Sequence, residues 1–187
     1  MKTIKLSYSI LSAWQQGKWE DAVAMYRGKD LPSTPYMELG KTKHKQWEAY
    51  TNKTGELHPE LGGGKLKNPI TERKYSKVIP FSDEYQILFR GVLDLEYDDV
   101  LVDYKCGRTM PSNYIDGWQL DAYKLLRPNG RIGKYLCFNP YSETLAVGVK
   151  YLNDGNAEFA LENIITYGGE LIDYLVANRL IIDFKEA

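Results

Sequence analysis

The sequence predicts an α/β fold, a β-sheet covered by helices, and three observations carry that prediction. Apolar residues recur at helical spacing in stretches at both ends of the chain. The central stretch, residues 91–105, GVLDLEYDDVLVDYK, reads as a β-hairpin. Beyond it a helical stretch separates the hairpin from two further strand-like runs, the order helix, three strands, helix being followed by strand again. At 187 residues, residues 1–187 fit a single domain with enough length to bury a core. Apolar residues at 43% and charged residues at 26% are globular values, which argues against a disordered or fibrous chain.

The elements follow in order. Ser7 or Ser9 can cap a helix whose apolar positions Ile10, Leu11 and Trp14 fall on one face. Gly17 interrupts, and a second amphipathic stretch covers residues 19–26. Pro32 and Pro35 force an extended connection before a third helix over 37–50, which carries Gly40 and His44 one turn apart. Residues 51–69 are rich in Gly, Lys, Asn and Pro and read as a mobile basic loop. Strands are predicted over 72–79 and 86–95, the second leading into the hairpin, and a helix over 113–126 with a buried stripe of Ile115, Trp118, Ala122, Leu125 and Leu126. Gln119 and Tyr123 share a face beside that stripe, as ordinary border residues or as functional ones. Strands over 133–138 and 144–151 flank a turn, and a last amphipathic helix over 157–177 leaves a short tail.

The hairpin holds the chemistry. With Asp98-Asp99 as a two-residue turn, Asp94 stands directly opposite Asp103, and side chains so paired lie about 5 Å apart. Period-two alternation puts Lys105 on the face of Asp103. Two converging carboxylates repel unless something positive lies between them. With an ammonium beside them, they suit a divalent cation that prefers oxygen and an activated water. The same residues also fit a plainer reading, acids flanking a turn. Glu72 is either an outlying ligand or a surface charge, and His44 alone fits a surface or core role as well as a ligand role.

Charge is unevenly spread. Residues 41–77 carry nine Lys or Arg against four Glu, whereas 153–187 carry seven acids against two basic residues, within a net charge of -1. Local fields rather than net charge guide a polyanion, so Lys53, Lys65 and Lys67 are candidate phosphate contacts, or simply a solvated face. The GGGK at residues 62–65 lacks the spaced glycine and the following Ser or Thr of a phosphate-binding loop, which argues against an NTPase. Two cysteines, Cys106 and Cys137, are too few for a disulfide scaffold and read as ordinary strand thiols. No apolar run approaches membrane length and the start lacks a signal peptide's apolar core, so the expected location is cytoplasmic, with no membrane partner.

Taken together, SYSILSAW at residues 7–14, GKTKH at 40–44, GVLD at 91–94, DYKCGR at 103–108 and QLDAY at 119–123 resemble the RecB-like branch of the PD-(D/E)XK nuclease superfamily. The resemblance spans residues 7–151 and implies a restriction-endonuclease-like core, a central mixed sheet flanked by helices. It implies that His44, Asp94, Asp103 and the carbonyl of Tyr104 bind Mg²⁺ or Mn²⁺, and that Lys105 orients and helps deprotonate the attacking water. Gln119 and Tyr123 would contact the DNA backbone near the scissile phosphate. It also implies a DNase acting on ends or single strands, in recombination, repair or phage DNA metabolism and with a possible protein partner there. A non-catalytic DNA-binding module and an RNA nuclease are the alternatives. The four cysteines that hold an iron–sulfur cluster in some relatives are not matched here, and Cys106 stands where the family often has Thr.

Overall fold

A computed structural model of the chain describes residues 1–108 and 110–182. The first element is a strand, β1 (Lys2–Ser7), ahead of the expected helix and not itself anticipated, and Ser7 is the N-cap of that helix, as one of the two expected positions. Its alternation was present in KTIKLS, since Ile4 and Leu6 fall on one face and are both buried. Helices α1 (Tyr8–Gln15) and α2 (Trp19–Tyr26) follow, separated at Gly17, whose φ of 74° suits glycine.

Helix α3 (Pro35–Thr54) starts with Pro35 in its first turn and with the Thr34 hydroxyl accepting from the N–H of Met37, and it stops at left-handed Gly55. It is longer than its apolar pattern suggested, so Lys53 lies on its last turn and not in a loop. The stretch after it is folded, contrary to the mobile loop expected. Leu61, in a 3-10 turn at Pro59–Leu61, is buried in a cluster with Trp47, and the Glu60 carboxylate accepts from Trp47 Nε1 at 2.8 Å and Lys43 Nζ at 2.6 Å. Positive φ angles at Gly62, Gly63 and Gly64 let the chain turn back so that Glu56 bridges Lys65. A few apolar anchors within a polar, glycine-rich segment outweighed its composition.

Then come β2 (Ile70–Pro80), β3 (Tyr85–Tyr97) and β4 (Val100–Cys106), helix α4 (Gln119–Leu126), β5 (Ile132–Asn139), β6 (Thr144–Tyr151) and helix α5 (Asp154–Ala177). Helix α4 starts six residues later than expected, after a 3-10 turn at Pro111–Asn113, so Ile115 falls outside the buried stripe, whereas Trp118, Ala122, Leu125 and Leu126 are buried. Helix α5 starts at Asp154 because Asn153 caps it, three residues before its apolar pattern begins.

The strands form one mixed sheet in the order β1-β3-β4-β5-β6, with β2 also on β3. Strand β3 is parallel to β1 and antiparallel to β2 and β4, and β5 is parallel to β4 and antiparallel to β6. Because β2 pairs with β3 from Gln86 to Glu96, β1 and β4 must share the other edge. Strand β1 takes Tyr85 to Arg90 and β4 takes Leu95 to Tyr97. Between them GVLD, residues 91–94, is left without a strand partner on that edge. The sheet therefore opens at its most acidic point.

Helices cover both ends of this opening. A large cluster sets α1, α2 and α5 against β1 and the first half of β3, with Ile4, Leu6, Leu11, Ile87, Ile164 and Leu171 fully buried. A second seats Trp47 of α3 on Val102, Tyr104, Leu136 and Phe138. A third seats Leu120 and Tyr123 of α4 on Leu93, Leu101 and Tyr135. Among the described residues no helix is long and apolar enough to cross a membrane.

Candidate active site

The hairpin register is the one expected, up to a point. Leu95 pairs with Val102, Glu96 with Leu101 and Tyr97 with Val100, so Asp98 and Asp99 form the two-residue turn, with Asp98 at a left-handed φ of 50° that Asp tolerates. The ladder stops there, one pair short of Asp94 and Asp103. Asp94 turns its carboxylate instead to the backbone of β4, where Oδ2 accepts from the N–H of Tyr104 at 2.6 Å. Simple alternation missed this because it assumes that the two strands keep pairing. The opening in the sheet frees Asp94, and its side chain takes the place of the missing ladder bond.

His44 of α3 reaches the same place, with Nδ1 3.7 Å from Asp94 Oδ1 and its ring set edge-on to that of Tyr104 at 5.6 Å. Burial works against charge on His44, but the adjacent Asp94 outweighs it and the net shift is upward. Glu72 lies opposite Asp94 in the β2 register, between the pairs Thr71–Leu95 and Arg73–Leu93, at a φ of 50°. Partial burial and then the charges of Asp94 and Glu48 raise its pKa. Glu48 was not singled out from the sequence, although it lies one turn after His44, a spacing that signals a shared face.

Asp103 faces the other helix. Its Oδ1 accepts from Gln119 Nε2 at 2.6 Å and lies 3.4 Å from the Tyr123 hydroxyl, and its Oδ2 lies 2.6 Å from Lys105 Nζ. Oδ2 is buried, with the Lys105 ammonium as its close partner. Burial drives the Asp103 pKa up to about 6 against the pull of Lys105, and the nearby Asp94 adds to the rise. The Lys105 pKa is raised too, because Asp103 outweighs the burial that opposes its charge. Lys105 is thus an ammonium here, not the poised base that a lowered pKa would give. Its Nζ lies 5.0 Å over the Tyr114 ring and 5.8 Å over that of Tyr135.

Gln119 ties these groups together, accepting from Lys105 at 3.1 Å and donating to Asp103 through one amide. Tyr123 donates to the carbonyl of Val92 at 2.9 Å, supplying the partner that the unpaired edge of β3 lacks. Gln119 and Tyr123, expected to meet DNA directly, are first of all supports for the acid and lysine. The fold gathers His44, Asp94, Asp103, Tyr104, Lys105, Gln119 and Tyr123 around the opening. Lys53 lies in the last turn of α3, and among the described residues neither Asp94 nor Asp103 forms an ion pair with Lys53, Lys65 or Lys67. Lys67 lies 3.7 Å from Asp98 at the hairpin turn.

Among the described residues no three His, Cys, Asp or Glu side chains stand close enough to close on one ion. The donors nonetheless match a hard cation in kind: two carboxylates, a backbone carbonyl and an imidazole. The buried Asp103 Oδ2 meets the Lys105 ammonium and no further hydrogen-bond donor, so a lone pair remains for such an ion. The thiols do not match a cluster, since burial raises both Cys106 and Cys137, the latter to about 11.

Two cavities meet at Gln119. One of about 510 Å³ lies at the end of the opening where β1 leaves β3 and has Ser7, Ser9, Lys74, Arg90 and Gly91 in its walls. The other, about 310 Å³, runs past Ser12 and Lys18 to Lys105.

No protein-family model and no curated protein matches the chain. Solved structures do. A candidate exonuclease from Eubacterium rectale superposes with a TM-score of 0.62 at 11% identity, over 96% of this chain and 83% of that one. LHK-Exo in complex with dAMP gives 0.55 at 16% identity over 95% of both chains. LHK-Exo is an alkaline exonuclease from Laribacter hongkongensis, and a second structure of it gives 0.53 at 13% identity over 94% of this chain and 93% of that one. At such identities the likeness is one of fold: the mixed sheet and its flanking helices superpose on those of these structures.

Proposed function

We propose that this chain is a divalent-metal-dependent DNA nuclease of the PD-(D/E)XK type, hydrolysing phosphodiester bonds at ends or in single strands. The observation that carries the reading is the convergence of Asp94, Asp103 and Lys105, with His44 behind them, where the sheet opens along residues 91–94. The exonuclease fold of the neighbours, one of them holding dAMP, supports it.

His44, Asp94, Asp103 and the Tyr104 carbonyl would hold Mg²⁺ or Mn²⁺, which when bound neutralises charge on a phosphate and lowers the pKa of a bound water. The protein's own part follows from the geometry. Lys105, kept charged by Asp103, offers its ammonium to a non-bridging phosphate oxygen and orients the water. Gln119 holds acid and lysine at a fixed separation, so neither must be ordered during the reaction. The larger cavity, with serine hydroxyls and Lys74 and Arg90 in its walls, gives room for a nucleotide next to the scissile bond. Lys53, Lys65 and Lys67 would meet phosphates farther along the strand.

A second reading, a DNA-binding module without catalysis, has one observation in its favour: Asp103 is already committed to Lys105 and Gln119. Digestion of end-labelled single-stranded, duplex and RNA oligonucleotides with Mn²⁺, with Mg²⁺ and with EDTA separates the readings. The nuclease reading expects metal-dependent cleavage of DNA that Lys105→Ala removes. Binding without cleavage by the wild type selects the module, and preferential RNA cleavage reassigns the substrate.

A further inference from the structure

Outside the site, two tyrosines stand uncovered beside its mouth. Tyr36, in the first turn of α3, is 58% exposed, and Tyr141, in the turn between β5 and β6, is 52% exposed. Their ring centroids lie 6.0 Å apart at 64°, and the Arg108 guanidinium lies 5.0 Å over the Tyr141 ring. These residues come from three separate parts of the chain, so the fold assembles the cluster. Aromatic side chains gathered into one exposed cluster, unlike scattered ones, are a mark of an interaction site.

The position says which partner. Arg108 follows Lys105 by three residues at the end of β4. Along α3, Tyr36, Gly40 and His44 are spaced by four and line one face, about 12 Å from first to last. A Cβ at Gly40 would come within 3.9 Å of Cys106 Cβ, so α3 runs closely over the end of β4 between the cluster and the site. Of the nearby acids, Glu38 is bound to Lys41 at 2.9 Å and Glu143 lies in the Tyr141 turn. Arginine backs one ring and the rings meet at a wide angle, so broad ring surface remains open to solvent, the shape that a base stacks on whatever its identity.

We propose that Tyr36, Tyr141 and Arg108 form a stacking platform for unpaired bases of a single-stranded DNA segment that continues from the candidate active site. The proposal rests on the nuclease reading and adds to it that the strand at this mouth is unpaired. A fluorescence anisotropy titration in EDTA, where no cleavage occurs, tests it with labelled single-stranded, abasic and blunt duplex oligonucleotides. The Tyr36→Ala/Tyr141→Ala double variant, with its melting temperature checked, is expected to bind the intact single strand about tenfold or more weakly, its affinity for the abasic strand and the duplex unchanged. Replacing both tyrosines with Phe should restore binding. Equal affinity of wild type and double variant for the intact strand overturns the proposal, as does an equal loss on the abasic strand or a wild type that binds no single strand. A wild-type dimer in sedimentation, lost in the double variant with DNA affinity unchanged, assigns the surface to a second copy instead. Because the titration needs no metal, a failure of cleavage bears on the nuclease reading and a failure here bears only on the platform.

Discussion

Asp103 and Lys105 carry opposite demands at the scale of the single residue. Asp103 is buried, which raises its pKa to about 6, yet it keeps Lys105 charged. Replacing either with Ala should abolish cleavage while DNA affinity, which comes mostly from phosphate contacts elsewhere, changes by only a few fold; oligonucleotide digestion and anisotropy on the same samples check this. Full activity of Lys105→Ala at saturating Mg²⁺ would remove the lysine from the mechanism. The raised Asp103 pKa also sets a pH dependence of stability. A carboxyl that holds its proton more tightly when folded adds stability below its ordinary range near pH 4, and that contribution is lost as pH rises through about 6. Metal-free wild type should therefore lose stability relative to Asp103→Asn between about pH 4 and pH 6, with the gap constant above; thermal melts across that range give the answer. The identities of these residues were legible in the sequence because a D-x-K after an acidic turn is a local pattern. That Asp94 leaves the ladder to accept from Tyr104 was not legible, since it depends on where β1 and β4 divide one strand edge.

Among the elements, the seam between α4 and β3 decides whether the site is held. Gly91 lies on the unpaired edge, and a Cβ there would meet Leu126 Cδ1 at 2.8 Å and Tyr123 Cε1 at 3.3 Å. The Leu126 tip can move, but the Tyr123 ring is tethered by its hydroxyl to Val92. Gly91→Ala is thus expected to push α4 outward, costing about 1 to 3 kcal/mol of stability and shifting Gln119 away from Asp103 and Lys105. Its kcat should fall by more than its DNA affinity, and a variant with wild-type kcat would show that the seam has slack. Elements with their own periodicity were read correctly: the hairpin, the strands after α4 and the long terminal helix. Those whose fate rests on distant partners were not. Strand β1 exists because β3 offers it a parallel edge, and the glycine-rich turn is ordered because Leu61 finds Trp47 and Glu60 finds Lys43. Helix α4 begins late because residues 111–118 serve as a path across the sheet, and no local propensity records that.

Across the whole molecule, stability and the site are linked through charge. Asp94, Asp103, Glu72 and Glu48 lie near enough that Asp94 raises the pKa of both Asp103 and Glu72, and the mutual repulsion is part of what the folded chain must offset. Among the described residues, His44 and Lys105 oppose it at Asp94 and Asp103, and Lys74 opposes it at Glu72. A cation that binds the folded state and not the unfolded chain stabilises by mass action, about 2.7 kcal/mol at a hundredfold excess over its dissociation constant. For a chain of this size each kcal/mol moves the melting temperature by about 2 to 4 °C, so Mn²⁺ at that excess should raise it by about 5 to 11 °C. Protons compete for the same oxygens. Below the Asp103 pKa of about 6 a bound proton must leave before the carboxylate can accept a cation, so at a fixed Mn²⁺ concentration the shift should be about a third smaller at pH 5.5 than at pH 8. Asp103→Asn and Asp94→Ala should each abolish most of the shift at pH 8, while Glu143→Gln, in the β5–β6 turn and outside the donor set, should leave it intact. A shift that is equal in all three variants, or one that does not grow with pH in the wild type, would place the cation elsewhere on the acidic surface and leave the opening in the sheet without its ion.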